Sequence, residues 1–247
     1  MRQKSVKKSF LKIGSEMIAA YFFPSRCPLC DRVIAYGREL CQDCEKKICY
    51  IKEPLCKKCG KQIENERQEF CSDCSRKKHH YIQGKAVFSY QKEMKVSMYR
   101  FKYSNRREYA KFYASKAIER YADWIKFREI EAIVPVPLHA EKQRSRGYNQ
   151  AEIFAKCLAE QTGLPVMKRL IKRVRNTIPQ KELNEQQRKD NLKGAFQVEA
   201  NIVKCSKILL VDDIYTTGVT VDAAAEVLKN AGVAEVYVLC ICIGKGC

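Results

Sequence analysis

Apolar residues gather in short unbroken runs at Ala132 to Val136, Ile208 to Val211 and Val236 to Ile243, the first of them stopping at Pro137. Runs of this length without polar alternation, rich in β-branched residues, predict strands buried on both faces. Lys85 to Tyr90 predicts a further short strand. Between the runs the period changes. Met94, Met98, Phe101, Phe112, Ile118 and Tyr121 keep helical spacing, predicting helix across Met94 to Tyr121. A second helix is predicted over Asn149 to Gln161, with Ile153, Phe154, Cys157 and Leu158 inward, and a third over Val221 to Asn230. Strands alternating with helices at this spacing indicate βαβ units and a parallel sheet, hence an α/β fold. Residues 168–191 are polar and basic with little periodicity, and are expected to form a mobile loop followed by a short helix around Glu182 to Leu192.

Ahead of this domain the texture differs. Residues 24–80 carry short spacers, few apolar runs and four C-x-x-C pairs, which include eight of the chain's fourteen cysteines. Such a stretch is too poor in core residues to fold without a staple. Cys27/Cys30 and Cys41/Cys44 are ten residues apart, and Cys56/Cys59 and Cys71/Cys74 eleven. Each C-x-x-C turn points two thiolates at one centre, and two turns complete a tetrahedral sulfur shell that suits zinc, with an iron–sulfur centre as the second reading. Lys57, Lys58 and Lys61 nearby favour the thiolate. Sequential pairing makes two similar ribbons, although the spacing also admits a crossed pairing. With every position taken by a cysteine no open coordination site remains, so the module is expected to be structural or a docking surface. Cys49, Cys157, Cys205, Cys240, Cys242 and Cys247 lack this spacing and read as core or incidental thiols. His79 and His80 read as linker, and His139 as a surface or capping residue.

The division expected is therefore an amphipathic helix over 1–23, a double zinc ribbon over 24–80 and an α/β domain over 84–247. The first segment is basic, then apolar at Phe10, Leu11, Ile13, Met17, Ile18, Tyr21 and Phe22, with Lys12 and Glu16 interrupting. It is too short and too interrupted to span a bilayer, and is expected to pack on the protein or rest on a membrane surface. Reduced cysteines without a secretory signal point to the cytoplasm, with the inner face of the membrane as a peripheral location. A formal charge of +19 and a pI near 9.4 favour polyanionic partners: nucleic acid, anionic lipid or phosphorylated small molecules.

The strongest chemical signal is Ile208 to Thr220, ILLVDDIYTTGVT. A buried strand ends in Asp212-Asp213, where ligands of open parallel sheets bind. Thr216, Thr217, Gly218, Val219 and Thr220 then run into a helix, offering hydroxyls, backbone N–H groups and a helix N-terminus to an anion. Two carboxylates beside a phosphate cradle suit a phosphorylated sugar with vicinal hydroxyls. A Walker B strand is the rival reading, but no G-x-x-x-x-G-K-[ST] accompanies it. A receiver domain would need several more βα units than the 34 residues after Asp213 supply.

ILLVDDIYTTGVT resembles the phosphoribosyl pyrophosphate (PRPP) motif of type I phosphoribosyltransferases. FFPSRCPLC, the doubled cysteine knuckles, RFKY, IVPVPLH, RSRGYNQAE and RVRNTIPQ, in this order, resemble the ComF family of competence-associated proteins. The resemblance implies that Asp212 and Asp213, the candidate catalytic pair, bind ribose hydroxyls and that Thr216 to Thr220 bind the 5′-phosphate. It places Val134, Pro135, Val136 and Pro137 at the pyrophosphate loop, with Mg²⁺ accompanying PRPP. Lys102, Arg144, Arg146, Gly147, Asn149, Gln150 and Arg188 are candidate contacts for pyrophosphate or DNA. Asn149 also suits the N-cap of the helix that follows. Natural transformation is implied too, with single-stranded DNA, a helicase and a membrane channel as partners. The run Lys168, Arg169, Lys172, Arg173, Arg175, with no acid within it, agrees with single-strand binding. A base-reading hood is not evident after the last strand, where only Gly244 to Cys247 follow. The expectation is a PRPP-binding competence protein, with an active phosphoribosyltransferase on an unidentified base or amine as the alternative.

Overall fold

A computed structural model describes residues 24–175, 194–199 and 205–244. The expected helix over 1–23, the short helix at Glu182 to Leu192, Arg188 and Cys247 lie outside the described residues. The chain forms two compact units, Met1–Ile48 and Cys49–Cys247, so the division falls inside the stretch read from composition as one module.

The larger unit is built on a four-stranded sheet. Its strands are β1 (Gln83–Ser89), β2 (Ala132–Pro135), β5 (Lys207–Tyr215) and β6 (Glu235–Ile243), in the order β1-β6-β5-β2 with every pairing parallel. The α/β fold with a parallel sheet is thus observed. β6 is buried from Val236 to Ile243 and β5 from Ile208 to Val211, which explains why neither alternates. Two short strands, β3 (Ile171–Arg173) and β4 (Phe196–Val198), make a separate antiparallel pair. The basic stretch from 168 read as loop therefore begins with strand β3, because Leu170 and Ile171 are buried in the same core as Phe196.

The small unit contains α1 (Gln42–Glu45), and α2 (Ser72–Arg76) begins the helices of the larger one. The helix expected across Met94 to Tyr121 is two helices, α3 (Lys92–Tyr103) and α4 (Tyr109–Phe127). They are separated at Asn105, whose φ of +54 no helix accepts. α4 buries Tyr109, Phe112, Tyr113, Ala117, Tyr121 and Ile125 along one stripe. α5 (Ala140–Arg146) ends at Gly147, and α6 (Gln150–Thr162) is capped by Asn149, whose side chain accepts from the Ala151 amide at 3.0 Å. In α6, Phe154, Cys157 and Leu158 are buried, whereas Ile153 is only half-buried. α7 (Val219–Asn230) buries Val221, Ala224, Ala225 and Leu228.

Alternation along the strands divides the core. Val134, Ile208, Leu210, Val236, Val238 and Cys240 share one cluster with α7 and with Cys56, Cys59, Cys71, Ile51 and Ile63. The second cysteine ribbon is therefore part of the sheet's own core. Close backbone packing allows this: the Gly84 N–H donates to Lys58 O at 2.6 Å, and a Cβ on Gly60 would lie 2.8 Å from Gly84 O. Gly60 also has φ +74, so glycine is required there twice over.

Candidate functional site

Cys27, Cys30, Cys41 and Cys44 converge in the small unit, and Cys56, Cys59, Cys71 and Cys74 in the larger, each set with all sulfurs within 4.8 Å of one another. The sequential pairing is the one observed. All eight thiols are free, and Cys30–Cys41 and Cys59–Cys71 are each 3.7 Å apart. A disulfide needs about 2.05 Å. A tetrahedron of thiolates around zinc, with Zn–S near 2.3 Å, puts sulfurs about 3.8 Å apart. Donor type, number and spacing thus fit two structural zinc sites. Zinc held by these cysteines would supply folding energy that short ribbons lack.

At the carboxyl end of β5, Asp212 and Asp213 project to opposite faces because strand side chains alternate. β5 continues through both residues to Tyr215, so the pair is held by strand pairing, Asp212 opposite Cys240. The Asp213 N–H donates to Asp212 Oδ1 at 2.8 Å. On one face Lys102, from the last turn of α3, brings Nζ to 2.7 Å from Asp213 Oδ2. Burial acts against the ammonium, but the Asp213 and Asp212 charges outweigh it and raise the Lys102 pKa. Burial, and then the charge of Asp213, push the Asp212 carboxyl up to about 7.

Further cations complete the surroundings. Arg173, from β3, has its pKa lowered by burial while Asp212 draws it back up. Lys142 in α5 is lowered by burial, then by Arg173 and Arg146. Arg146 also opposes the charge on Lys102. Lys102 and Arg173 thus act directly on the two carboxylates, and Lys142 and Arg146 lie close enough to act on those two cations. Sequence reading missed Lys142, and took Arg173 for one member of a surface run. The apolar Leu170-Ile171 pair before Arg173 was the available signal that this stretch turns inward, where Arg173 pairs with Phe196.

After β5 the chain turns sharply into α7. Gly218 caps the helix with φ +78, and a Cβ there would lie 2.2 Å from the Tyr215 hydroxyl oxygen, so only glycine fits. Tyr215 is itself fixed by a 2.8 Å hydrogen bond between its hydroxyl and that of Tyr81. Thr216 is exposed at the tip, and Thr217 Oγ1 is buried with no hydrogen-bond partner among the described residues. Val219 and Thr220 form the first turn of α7, where backbone N–H groups are free of helical partners.

β2 delivers Val134 to Pro137 beside this turn: Pro135 pairs with Val211, and the Val136 N–H donates to Val211 O at 2.9 Å. Asn149 Nδ2 donates to Val136 O at 3.0 Å, tying the start of α6 to that segment. Gly147 serves as the left-handed cap of α5, and the Tyr148 hydroxyl donates to Phe101 O. Arg146 donates to Gln150 Oε1 at 3.2 Å and to the Tyr103 hydroxyl at 3.1 Å, its guanidinium 5.0 Å from the Tyr103 ring centre. Arg144 is exposed. His139 caps α5, accepting from the Glu141 amide at 3.4 Å. His79 is not linker: its side chain is 3% exposed and stacks on Tyr81.

Comparison with known proteins agrees with this construction. A double zinc ribbon domain model matches residues 18–75, and a phosphoribosyl transferase domain model matches residues 128–247. The chain is 39% identical over 110 residues to Competence protein F of Haemophilus influenzae, covering 44% of this chain and 48% of that protein. It is 39% identical over 112 residues to DNA utilization protein YhgH of Salmonella typhimurium, covering 45% and 49%. With Competence protein ComFC of Bacillus subtilis the match is longer, 27% identity over 210 residues, covering 84% and 73%. The chain thus spans about half the length of the first two relatives. Among the described residues no helix is long and apolar enough to cross a membrane. Two four-cysteine ribbons joined to a phosphoribosyltransferase-type sheet, together with these relatives, place the chain in the ComF family.

Proposed function

We propose that the chain binds PRPP at the end of β5 and uses that site in the handling of incoming single-stranded DNA. The observation carrying this reading is the Lys102–Asp213 ion pair with Arg173 acting on Asp212, next to a turn whose Thr217 hydroxyl is buried with no hydrogen-bond partner among the described residues. A phosphorylated sugar satisfies both halves. Its vicinal hydroxyls donate to the carboxylates, its 5′-phosphate accepts from Thr217 and the α7 amides, and its pyrophosphate meets the cations beside Val134 to Pro137. The carboxylates and phosphate oxygens are hard donors suited to Mg²⁺, which would neutralise part of the pyrophosphate charge. Lys102 holds Asp213 at 2.7 Å and is placed to exchange that partner for pyrophosphate.

The DNA half rests on α3. Tyr99 and Tyr103 are exposed by 62% and 58%, with ring centres 5.1 Å apart, and Arg146 lies over Tyr103. Exposed rings one turn apart beside guanidinium groups suit stacking of successive bases. A DNA-uptake helicase and membrane channel are the partners proposed from the competence relatives.

Calorimetric titration of the full chain with PRPP and Mg²⁺ tests the site. Binding by the wild type and its loss in the Asp212→Asn/Asp213→Asn variant are expected; unchanged binding by the variant overturns the assignment. Mobility shift with single-stranded DNA tests the second half, which fails if no shift occurs at low salt. Turnover of PRPP is the second reading, favoured by an Asp212 pKa near 7, within reach of proton transfer. Pyrophosphate release above background on adding a base or amine decides it.

A further inference from the structure

The second sulfur cluster lies within a short chain of contacts from the α7 turn. His79 Nε2 is 3.5 Å from Cys74 Sγ, and His79 Nδ1 is 3.5 Å from Asp222 Oδ1. Asp222 sits in the first turn of α7, four residues beyond Gly218, and its amide donates to Gly218 O at 2.8 Å. The same carboxylate accepts from the His80 N–H at 2.7 Å. One residue further, Tyr81 fixes the Tyr215 hydroxyl against which Gly218 packs. Three consecutive residues, His79, His80 and Tyr81, therefore connect the cysteine ribbon to both ends of the turn from Tyr215 to Asp222. The His79 ring is buried with Nε2 against a sulfur that a metal would hold as thiolate and Nδ1 3.5 Å from the Asp222 carboxylate, a charge contact longer than an ordinary hydrogen bond.

We propose that His79 is a positioning residue for the phosphate turn, through which a metal in the Cys56/Cys59/Cys71/Cys74 cluster sets the affinity of the β5–α7 site for phosphorylated sugars. The proposal rests on the PRPP reading and adds the control of that same site. The metal fixes Cys74 Sγ as a thiolate acceptor at one position. His79 transmits that position to Asp222, and Asp222 determines where the first turn of α7 presents its amides. The Cys27/Cys30/Cys41/Cys44 cluster belongs to the other compact unit and has no corresponding histidine contact among the described residues.

The test uses the full chain with cobalt in place of zinc, read by its thiolate-to-cobalt absorption, together with calorimetry using PRPP and Mg²⁺. His79→Phe keeps a ring to stack on Tyr81 and removes both nitrogens. The absorption band should move to longer wavelength as the sulfur loses its hydrogen bond, and PRPP affinity should fall about tenfold, the usual scale for loss of a contact behind a metal ligand. In the wild type, adding PRPP should shift the cobalt band; in His79→Phe it should not. Asp222→Asn, which keeps an oxygen for the His80 N–H and removes the charge facing His79, should weaken PRPP in the same direction and carries the test if His79→Phe does not fold. Wild-type affinity in both variants overturns this proposal and leaves the PRPP site standing. A wild type that takes up no PRPP overturns both.

Discussion

Lys102 Nζ lies 2.7 Å from Asp213 Oδ2, joining the last turn of α3 to the end of β5 with both side chains mostly buried, 18% and 14% exposed. Removing one member leaves a charge without partner in a site that water reaches poorly. Lys102→Met should cost about 3 kcal/mol of stability, and the Lys102→Met/Asp213→Asn double variant should recover part of it, because a neutral amide carries no unpaired charge. Urea unfolding of the single and double variants measures both. A double variant less stable than Lys102→Met would show that the pair is not the source of the loss.

The Asp212 carboxyl is held in a setting that favours its protonated form. Its pKa rises from 3.8 unfolded to about 7 folded, through burial and the adjacent Asp213 charge. A carboxyl with a raised folded pKa binds its proton more tightly in the folded state. Its contribution is therefore present below about pH 4, is lost progressively as pH rises to about 7, and is constant above. Asp212→Asn removes that dependence. The stability of the variant relative to wild type should rise between pH 4 and 7, by at most on the order of 4 kcal/mol. Unfolding midpoints of the two proteins at pH 5, 6, 7 and 8 give the curve, and parallel curves would place the titration elsewhere.

Thr217 makes a cleaner probe of the turn. Its Oγ1 is buried with no partner among the described residues, so in the free protein the hydroxyl is expected to contribute a desolvation cost and no bond. Thr217→Val should leave the ligand-free protein as stable as wild type or slightly more so, and should weaken PRPP about tenfold, the worth of one charge-assisted hydrogen bond of roughly 1.4 kcal/mol. Thr217→Ser should retain affinity. Calorimetry on the three proteins reads the ligand effect, and thermal unfolding without ligand reads the other. Loss of stability on Thr217→Val with affinity unchanged would mean that the hydroxyl serves the fold.

What sequence made legible and what it did not follow from the range of the interactions. The strands announced themselves because β5 and β6 are buried on both faces, leaving no polar alternation. The cysteines were readable as metal ligands because each C-x-x-C is a local turn, but the spacing left the pairing of the turns open until the sulfurs were placed. The turn at Gly218 was readable because a strand, two acids, Thr-Thr-Gly and a helix are contiguous. Arg173 and Lys142 were not: both sit among basic residues, and only the β3–β4 pairing brings Arg173 to Asp212 and the placing of α5 brings Lys142 to Arg173. His79 gave no local signal either, since its partner Asp222 lies 143 positions away. The break between α3 and α4 was hidden by apolar spacing that continues on both sides of Asn105.

The two sulfur clusters should respond differently to loss of metal. Cys56, Cys59 and Cys71 are buried in the same core as Ala86, Val238, Cys240 and Leu228, so disordering that ribbon exposes a face of the sheet. Cys27, Cys30, Cys41 and Cys44 belong to the compact unit that ends at Ile48. Cys56→Ser/Cys71→Ser should therefore unfold the phosphoribosyltransferase-type domain, whereas Cys27→Ser/Cys41→Ser should leave its thermal transition within a few degrees of wild type. Near-ultraviolet circular dichroism follows this through Tyr113 and Tyr121, both buried in the larger unit, and metal analysis should return about one zinc per chain for each variant that folds. Equal loss of the main transition in both variants would show that the larger unit depends on both clusters.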